Sequence, residues 1–209
     1  MNDLSLLETR VLGTLVEKQH TVPDTYPLTL NALVSGCNQK TSRSPVMEAT
    51  ESEVQATLDG LKRRNLVIES SGSRVARYAH NVEPVLKIPS QSVAILTVLM
   101  LRGPQTPGEL RINCERLHRF ADLSAVEAFL QELAARPAGP LVMQLARLPG
   151  AREHRWAHLL SGTPAADSMS REREVRDENP GKGALEARVA RLESEVAELR
   201  AALDKLRTQ

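Results

Sequence analysis

Apolar residues fall at spacings of three and four in short runs along the first 160 positions, and the same runs return later in the chain. Val54, Leu58 and Leu61 come back as Val126, Leu130 and Leu133, 72 positions on. Such spacing lines one face of a helix with apolar side chains. Thr50 and Asp122 precede the two runs as N-cap residue types, and Thr50 with Glu53 completes a capping box. Upstream, Val11, Leu12 and Leu15 correspond to Ile95, Leu96 and Leu99 at an offset of 84, with Ser5 and Glu8 as a further capping box and Ser90 as the cap of the later copy. Periodicity alone leaves Val93–Leu101 open between a buried strand and a helix; its place in the repeat predicts the helix. A middle helix starts near Thr29 and runs through Leu30, Leu33 and Val34, and its counterpart opens with Thr106-Pro107-Gly108-Glu109, a cap, a proline at the first helical position and a capping glutamate.

After each third helix the pattern becomes extended. Leu66-Val67 and Leu141-Val142 open runs that end in "RVARYAH" (74–80) and "REHRWAH" (152–158), a shared Arg-x-x-Arg-aromatic-Ala-His element offset by 78. Gly72-Ser73 and Pro149-Gly150 stand where a hairpin must reverse. Three helices and a hairpin in roughly 75 residues describe a winged helix. The pattern predicts a mainly α fold with small β-hairpins: two tandem winged-helix (helix-turn-helix) domains, at 1–86 and 87–160, the first with an extra loop at about 38–49.

Residues 161–183 are rich in Ser, Pro, Gly and charge, with little to bury, and read as a flexible linker. A coiled-coil helix is expected over 184–209. Leu185, Leu192, Leu199 and Leu206 repeat every seven residues, with Val189, Val196 and Leu203 between them. Leucine at d and mostly Val at a favours a parallel dimer, in which Arg188 faces Glu193 and Glu195 faces Arg200 of a second copy. A weak homodimer through this helix is expected; a solvated single amphipathic helix is the other reading of so short a zipper.

Composition sharpens this picture in three ways. Aromatic residues are only 2% of the chain, so its cores must be packed from Leu, Val and Ala, which favours helices. Asp3, Glu8 and Arg10 interrupt the first fifteen residues and no stretch approaches the roughly 20 apolar residues of a membrane span, so a cytoplasmic protein without membrane association is expected. Net charge is 0 over 1–88, +2 over 89–160 and −1 beyond, far from the strongly basic balance of many nucleic-acid-binding domains.

Catalytic signatures are missing from the sequence: it has no G-x-S-x-G elbow, no Walker loop and no G-x-G-x-x-G, so no enzyme activity and no cofactor are expected. Cys37 and Cys114 have no partner at metal-ligand spacing and read as buried thiols. His154 and His158, four apart on a strand, are separated by about 13 Å and cannot chelate one ion. In the repeated element, alternation puts Tyr78 and Trp156 on the core side of each wing and Arg77 and Arg155 on the opposite, solvated side, available to phosphate or to a carboxylate-bearing partner. The loop "CNQKTSR" (37–43) adds Gln39, Lys40 and Arg43 as further contacts, though it also reads as an ordinary polar loop. Lys62, Arg63 and Arg64 read either as a phosphate patch or as cations favoured at a helix C-terminus. Against base reading stand the third helices, with Glu51, Glu53, Gln55 and Asp59 in one and Glu127, Gln131 and Glu132 in the other.

The stretches "YPLTLNALVSGCNQK" (26–40), "LRGPQTPGELR" (101–111) and "PGAREHRWAHLL" (149–160) resemble the YceH-like family of uncharacterised bacterial proteins. The resemblance spans roughly residues 4–160, leaves out the tail, implies the same tandem winged-helix fold and carries no activity with it. Two functions are expected of such a chain. One is a dimeric binder of double-stranded DNA, as in a transcriptional regulator, with Arg77, Arg155 and the Lys40–Arg43 loop on phosphates. The other is a protein-interaction scaffold, similar in architecture to the ScpB subunit of bacterial condensin.

Overall fold

Ser5 opens the first helix. Its Oγ accepts from the Glu8 N–H at 3.1 Å while the Glu8 carboxylate accepts from the Ser5 N–H at 2.7 Å, so donors that would be orphaned at the start of α1 (Leu6–Thr21) are satisfied. A 3-10 turn (Pro23–Thr25) leads to a two-residue strand, β1 (Leu28–Thr29), and Thr29 caps α2 (Leu30–Cys37). Thr50 and Glu53 form the capping box of α3 (Glu51–Arg63), which is followed by β2 (Val67–Ser70) and β3 (Arg77–His80). The second series runs α5 (Ser90–Arg102), α6 (Pro107–Asn113), α7 (Leu123–Ala134), β4 (Val142–Gln144) and β5 (Trp156–His158), reached through a short α4 (Val82–Leu86). This computed structural model describes residues 3–70, 75–147 and 150–164. The Gly72-Ser73 reversal, Pro149 and the heptad positions from Leu185 to Leu206 lie outside the described residues.

Among the described residues the fold is mainly helical, with two small antiparallel sheets. The helical reading of Val93–Leu101 holds, but its cap is corrected: Pro89, in extended conformation and without a side-chain bond, stands at the N-cap and Ser90 is already the first helical residue. The short α4 is absent from the sequence pattern because five residues contain too little of a 3.6-residue period to read. In the first sheet the strand order is β1-β3-β2, with Leu28 opposite Tyr78 and Val67 opposite His80. In the second, β4 pairs with β5, and Gln105 bridges to Trp156 through two backbone bonds of 3.0 and 2.7 Å. Gln105 thus stands where Leu28 does in the first copy, so each hairpin carries an extra edge segment just ahead of its middle helix.

The two copies share one core. Val11, Leu12 and Leu15 of α1 and Ile95, Leu96 and Leu99 of α5, the pairs matched by the repeat, are all buried in the same apolar cluster. α5 is buried on every side from Ser92 to Leu101, and α1 from Thr9 to Val16. A helix buried all round must be covered by its neighbours, and here each supplies part of the other's cover. Gly13 permits the close approach: a Cβ there would lie 2.9 Å from the Leu101 side chain. The described residues through Thr163 form one compact unit.

A second glycine is more tightly held. A Cβ at Gly36 in α2 would stand 2.6 Å from Thr14 Cγ2, on a side chain that is fully buried in α1. Neither helix can yield without disturbing the core. Gly36→Ala is expected to destabilise the fold by about 1–3 kcal/mol through overpacking, despite the better helix propensity of alanine. Urea unfolding checks it, and an unchanged midpoint would show that α2 shifts freely.

Candidate functional site

The C-terminal parts of the two Arg-x-x-Arg-aromatic-Ala-His elements, Arg77–His80 and Trp156–His158, form the strand that pairs on both sides in each sheet. Tyr78 and Trp156 are 3% and 5% exposed and sit in the shared core, and the Tyr78 hydroxyl donates to Gln55 Oε1 of α3 at 3.2 Å. The arginines expected to be solvated beside them are half-buried and already hydrogen-bonded within the fold. Arg77 Nη1 donates to Pro27 O at 2.7 Å and to Thr25 O at 3.2 Å. Arg155 Nη1 donates to Pro104 O at 2.7 Å, and its Nη2 to Glu109 Oε1 at 2.9 Å. Alternation placed these side chains on the far face of a two-stranded hairpin. The third segment, Leu28–Thr29 or Gln105, brings backbone carbonyls beneath that face, and the guanidinium groups clamp them. Arg77→Ala and Arg155→Ala are each expected to cost about 1 kcal/mol of stability, since a part-buried carbonyl loses its charged donor but stays within reach of water. A loss of binding with unchanged stability would contradict the clamp.

The histidines of the same element are half-buried. His80 Nε2 meets Gln19 Oε1, while its Nδ1 lies 3.4 Å from the donating Val82 N–H, a pattern that fits the neutral ring. Burial, with a smaller effect from His20, pushes its pKa down to about 4. His158 is pushed down to about 4 by burial alone. Burial also raises the thiols of Cys37 and Cys114, the latter to about 12, so neither is poised as a nucleophile.

The loop after α2 is braced against the fold by its own side chains. Asn38 closes its base, Nδ2 donating to Ala49 O and Oδ1 accepting from Ala49 N–H, both at 2.8 Å. The Arg43 side chain is 0% exposed. It donates to both Glu17 carboxylate oxygens at 3.1 and 2.5 Å, to Gly36 O at 3.1 Å and to Gln39 Oε1 at 3.0 Å. Arg43 is thus buried among partners of the fold rather than on the surface; Gln39 gives it one oxygen while half-exposed, and Lys40 is exposed. Arg10, fully buried, holds the loop from the other side through Cys37 O at 3.1 Å and Pro45 O at 2.6 Å. Ser44 N–H reaches across to Leu101 O at 2.8 Å, satisfying a carbonyl at the C-terminal end of α5. A hydrophilic stretch of this kind offers no sequence signal that its arginine is buried; the acid that pairs with it, Glu17, is 26 positions away.

The third helices differ in what they present. Lys62 in α3 is neutralised by Asp59 at 2.8 Å and Glu69 at 2.6 Å, which together raise its pKa, so the apparent basic patch loses its centre. In α7 the outward residues Leu123, Glu127, Ala128 and Gln131 face the β4–β5 hairpin across a groove of about 490 Å³. Pro107 and Trp156 contribute apolar walls, and Glu153 and His154 stand on the hairpin side. The groove is lined by two carboxylates and by neither lysine nor arginine. Exposed cations outside the groove include Arg111, Arg116 and Arg119 on α6 and the segment beyond it, a cluster legible in "RINCERLHR" (111–119) but not part of the repeat.

Comparison with known proteins decides the kinship. A family described as "Protein of unknown function, DUF480" matches residues 4–151. The chain belongs to that family. Relatives include the UPF0502 protein of Dechloromonas aromatica (strain RCB), 63% identical over 200 residues that cover 96% of this chain and 94% of the relative. A UPF0502 protein of Burkholderia lata is 59% identical over 204 residues, 96% of this chain and 86% of its own. One from Burkholderia vietnamiensis is 57% identical over 219 residues, 100% and 90% respectively. The DUF480 match contains Glu17, Arg43 and the whole of α7, and it stops just short of Arg155 and Trp156.

Proposed function

We propose that this DUF480 chain is a non-enzymatic binding protein of two tandem winged-helix modules, and that the groove between α7 and the β4–β5 hairpin takes an extended segment of a partner protein. The groove's lining carries the proposal. Its apolar walls at Pro107, Leu123, Ala128 and Trp156 suit aliphatic side chains, while Glu127 and Glu153 complement a lysine or arginine on the same segment. A phosphodiester laid there would meet two carboxylates and no cation. Of the side chains expected on DNA, Arg77, Arg155 and Arg43 donate to groups within the fold, while Lys40 is exposed.

Photocrosslinking from position 128 in cells is expected to attach one defined protein, and Glu127→Lys is expected to lower that yield about tenfold, as loss of one close charge pair in an interface allows. Crosslinking that is unaffected by Glu127→Lys would remove the groove from the interface. A second reading, binding to double-stranded DNA, is favoured by the exposed Arg111 and Arg119. It requires affinity that falls linearly in log–log form with salt and that drops in Arg111→Ala/Arg119→Ala with Glu127→Lys silent. A cytoplasmic location and a homodimer through the 184–209 helix belong to the same proposal. Sedimentation with and without residues 180–209 tests the dimer, and an unchanged monomer would refute it. No described helix is long and apolar enough to cross a membrane.

A further inference from the structure

A second cavity, of about 280 Å³, lies on the seam between the two copies, apart from the α7 groove. The first copy contributes Lys18, Thr41 and Ser42 to its walls, and the second contributes Arg102, Asn113 and Arg116. The one carboxylate in the lining, Glu17, is already engaged by the buried Arg43 at 2.5 Å, with Lys18 at 3.4 Å. Counting Lys18, Arg102 and Arg116 against Glu17, the walls carry an excess of two positive charges, and Arg43 beneath them adds a third. Arg102 Nη2 donates to Ser42 Oγ at 2.7 Å, so its guanidinium is fixed where the two copies meet. Cations fixed around a partly enclosed, low-dielectric recess focus a positive field into it. The hydroxyls of Thr41 and Ser42 and the amide of Asn113 add neutral polar groups between the charges.

We propose that this seam pocket binds a small phosphomonoester. A phosphate dianion is opposite in sign to the local excess and does not exceed it, and its three terminal oxygens can accept from donors arriving from both copies at once, which a planar carboxylate cannot do as well. The volume is just below the roughly 300–1,000 Å³ usual for small-molecule sites, enough for a phosphate and a few carbons and too little for a dinucleotide. Because each copy supplies one wall, an occupant bridges the loop after α2 and the end of α5 and raises the melting temperature by mass action.

Isothermal titration of the full chain with inorganic phosphate, glycerol 3-phosphate and succinate, at matched ionic strength, tests the assignment. Saturable one-site binding of both phosphates is expected, with succinate at least tenfold weaker. Arg116→Gln is expected to weaken glycerol 3-phosphate at least tenfold while the unliganded melting temperature stays the same, and Arg152→Gln, which removes an equal charge outside the pocket, leaves binding intact. Four results would each overturn the proposal: no saturable binding of either phosphate, succinate bound as well as they are, inorganic phosphate bound with the ester excluded, or an equal loss in Arg152→Gln.

Discussion

Arg43→Met is expected to lower the free energy of unfolding by about 3–5 kcal/mol, the cost of breaking a buried ion pair by removing one partner. The replacement fills similar space but leaves the Glu17 carboxylate, whose side chain is only 18% exposed, with the longer Lys18 pair at 3.4 Å alone, and leaves Gly36 O and Gln39 Oε1 without their charged donor. Burial acts to raise the Glu17 pKa, yet the hydrogen bonds and charge of Arg43, with help from Lys18, more than offset it and hold the carboxyl below its ordinary value. Removing the guanidinium inverts that balance. The double change Arg43→Met/Glu17→Met is expected to recover much of the loss, because two matched apolar groups replace two matched charges. Urea titration of the three variants measures both effects. A loss below about 1 kcal/mol for Arg43→Met, the range of exposed pairs, would mean that the pair is solvated and that the loop is not held by it.

The second large effect is acid destabilisation. His80 and His158 are free to take a proton near pH 6.5 when unfolded, but in the fold they resist it until about pH 4. A depressed pKa means that the unfolded chain binds more protons across this window, so the stabilisation is full above pH 6.5 and declines as the pH falls toward 4. Each histidine contributes a slope of at most roughly 1.4 kcal/mol per pH unit and a total near 3 kcal/mol. Glu17, with its carboxyl held low, adds a further loss below the window as it too is protonated. Melting temperatures between pH 7.5 and 4 follow the decline. His158→Leu is expected to leave stability at pH 7.5 nearly intact and to flatten the slope by about half; parallel curves for the two proteins would place the acid sensitivity elsewhere.

Both predictions concern side chains that the sequence pattern misjudged or ranked low, and the reason is physical. Helix faces were legible because burial repeats with the helical period: Val54, Leu58 and Leu61, or Val126, Leu130 and Leu133, announce themselves by spacing alone. Capping boxes at Ser5, Thr50 and Thr106 were legible because each is closed within four residues. What failed depended on partners remote in sequence. Arg77 and Arg155 sit on the predicted strands, but the carbonyls they clamp lie 50 and 51 residues away, on edge segments too short to carry a period. Arg43 looked like a surface cation because nothing near it in sequence names Glu17 or Gly36 as its neighbours. The α7 groove was legible only in part: its acids were visible in the helix pattern, but the hairpin wall with Glu153 and His154 required the fold.

The mutual cover of α1 and α5 bears on how such a chain could be taken apart or assembled by evolution. Severed between Leu86 and Ser90, each piece would keep a helix whose apolar surface had lost its lid, and neither would escape aggregation by being short. The two halves are not independent beads on a string. A lesion on either side of that crossing travels to the other, so the unit through Thr163 should melt in a single step.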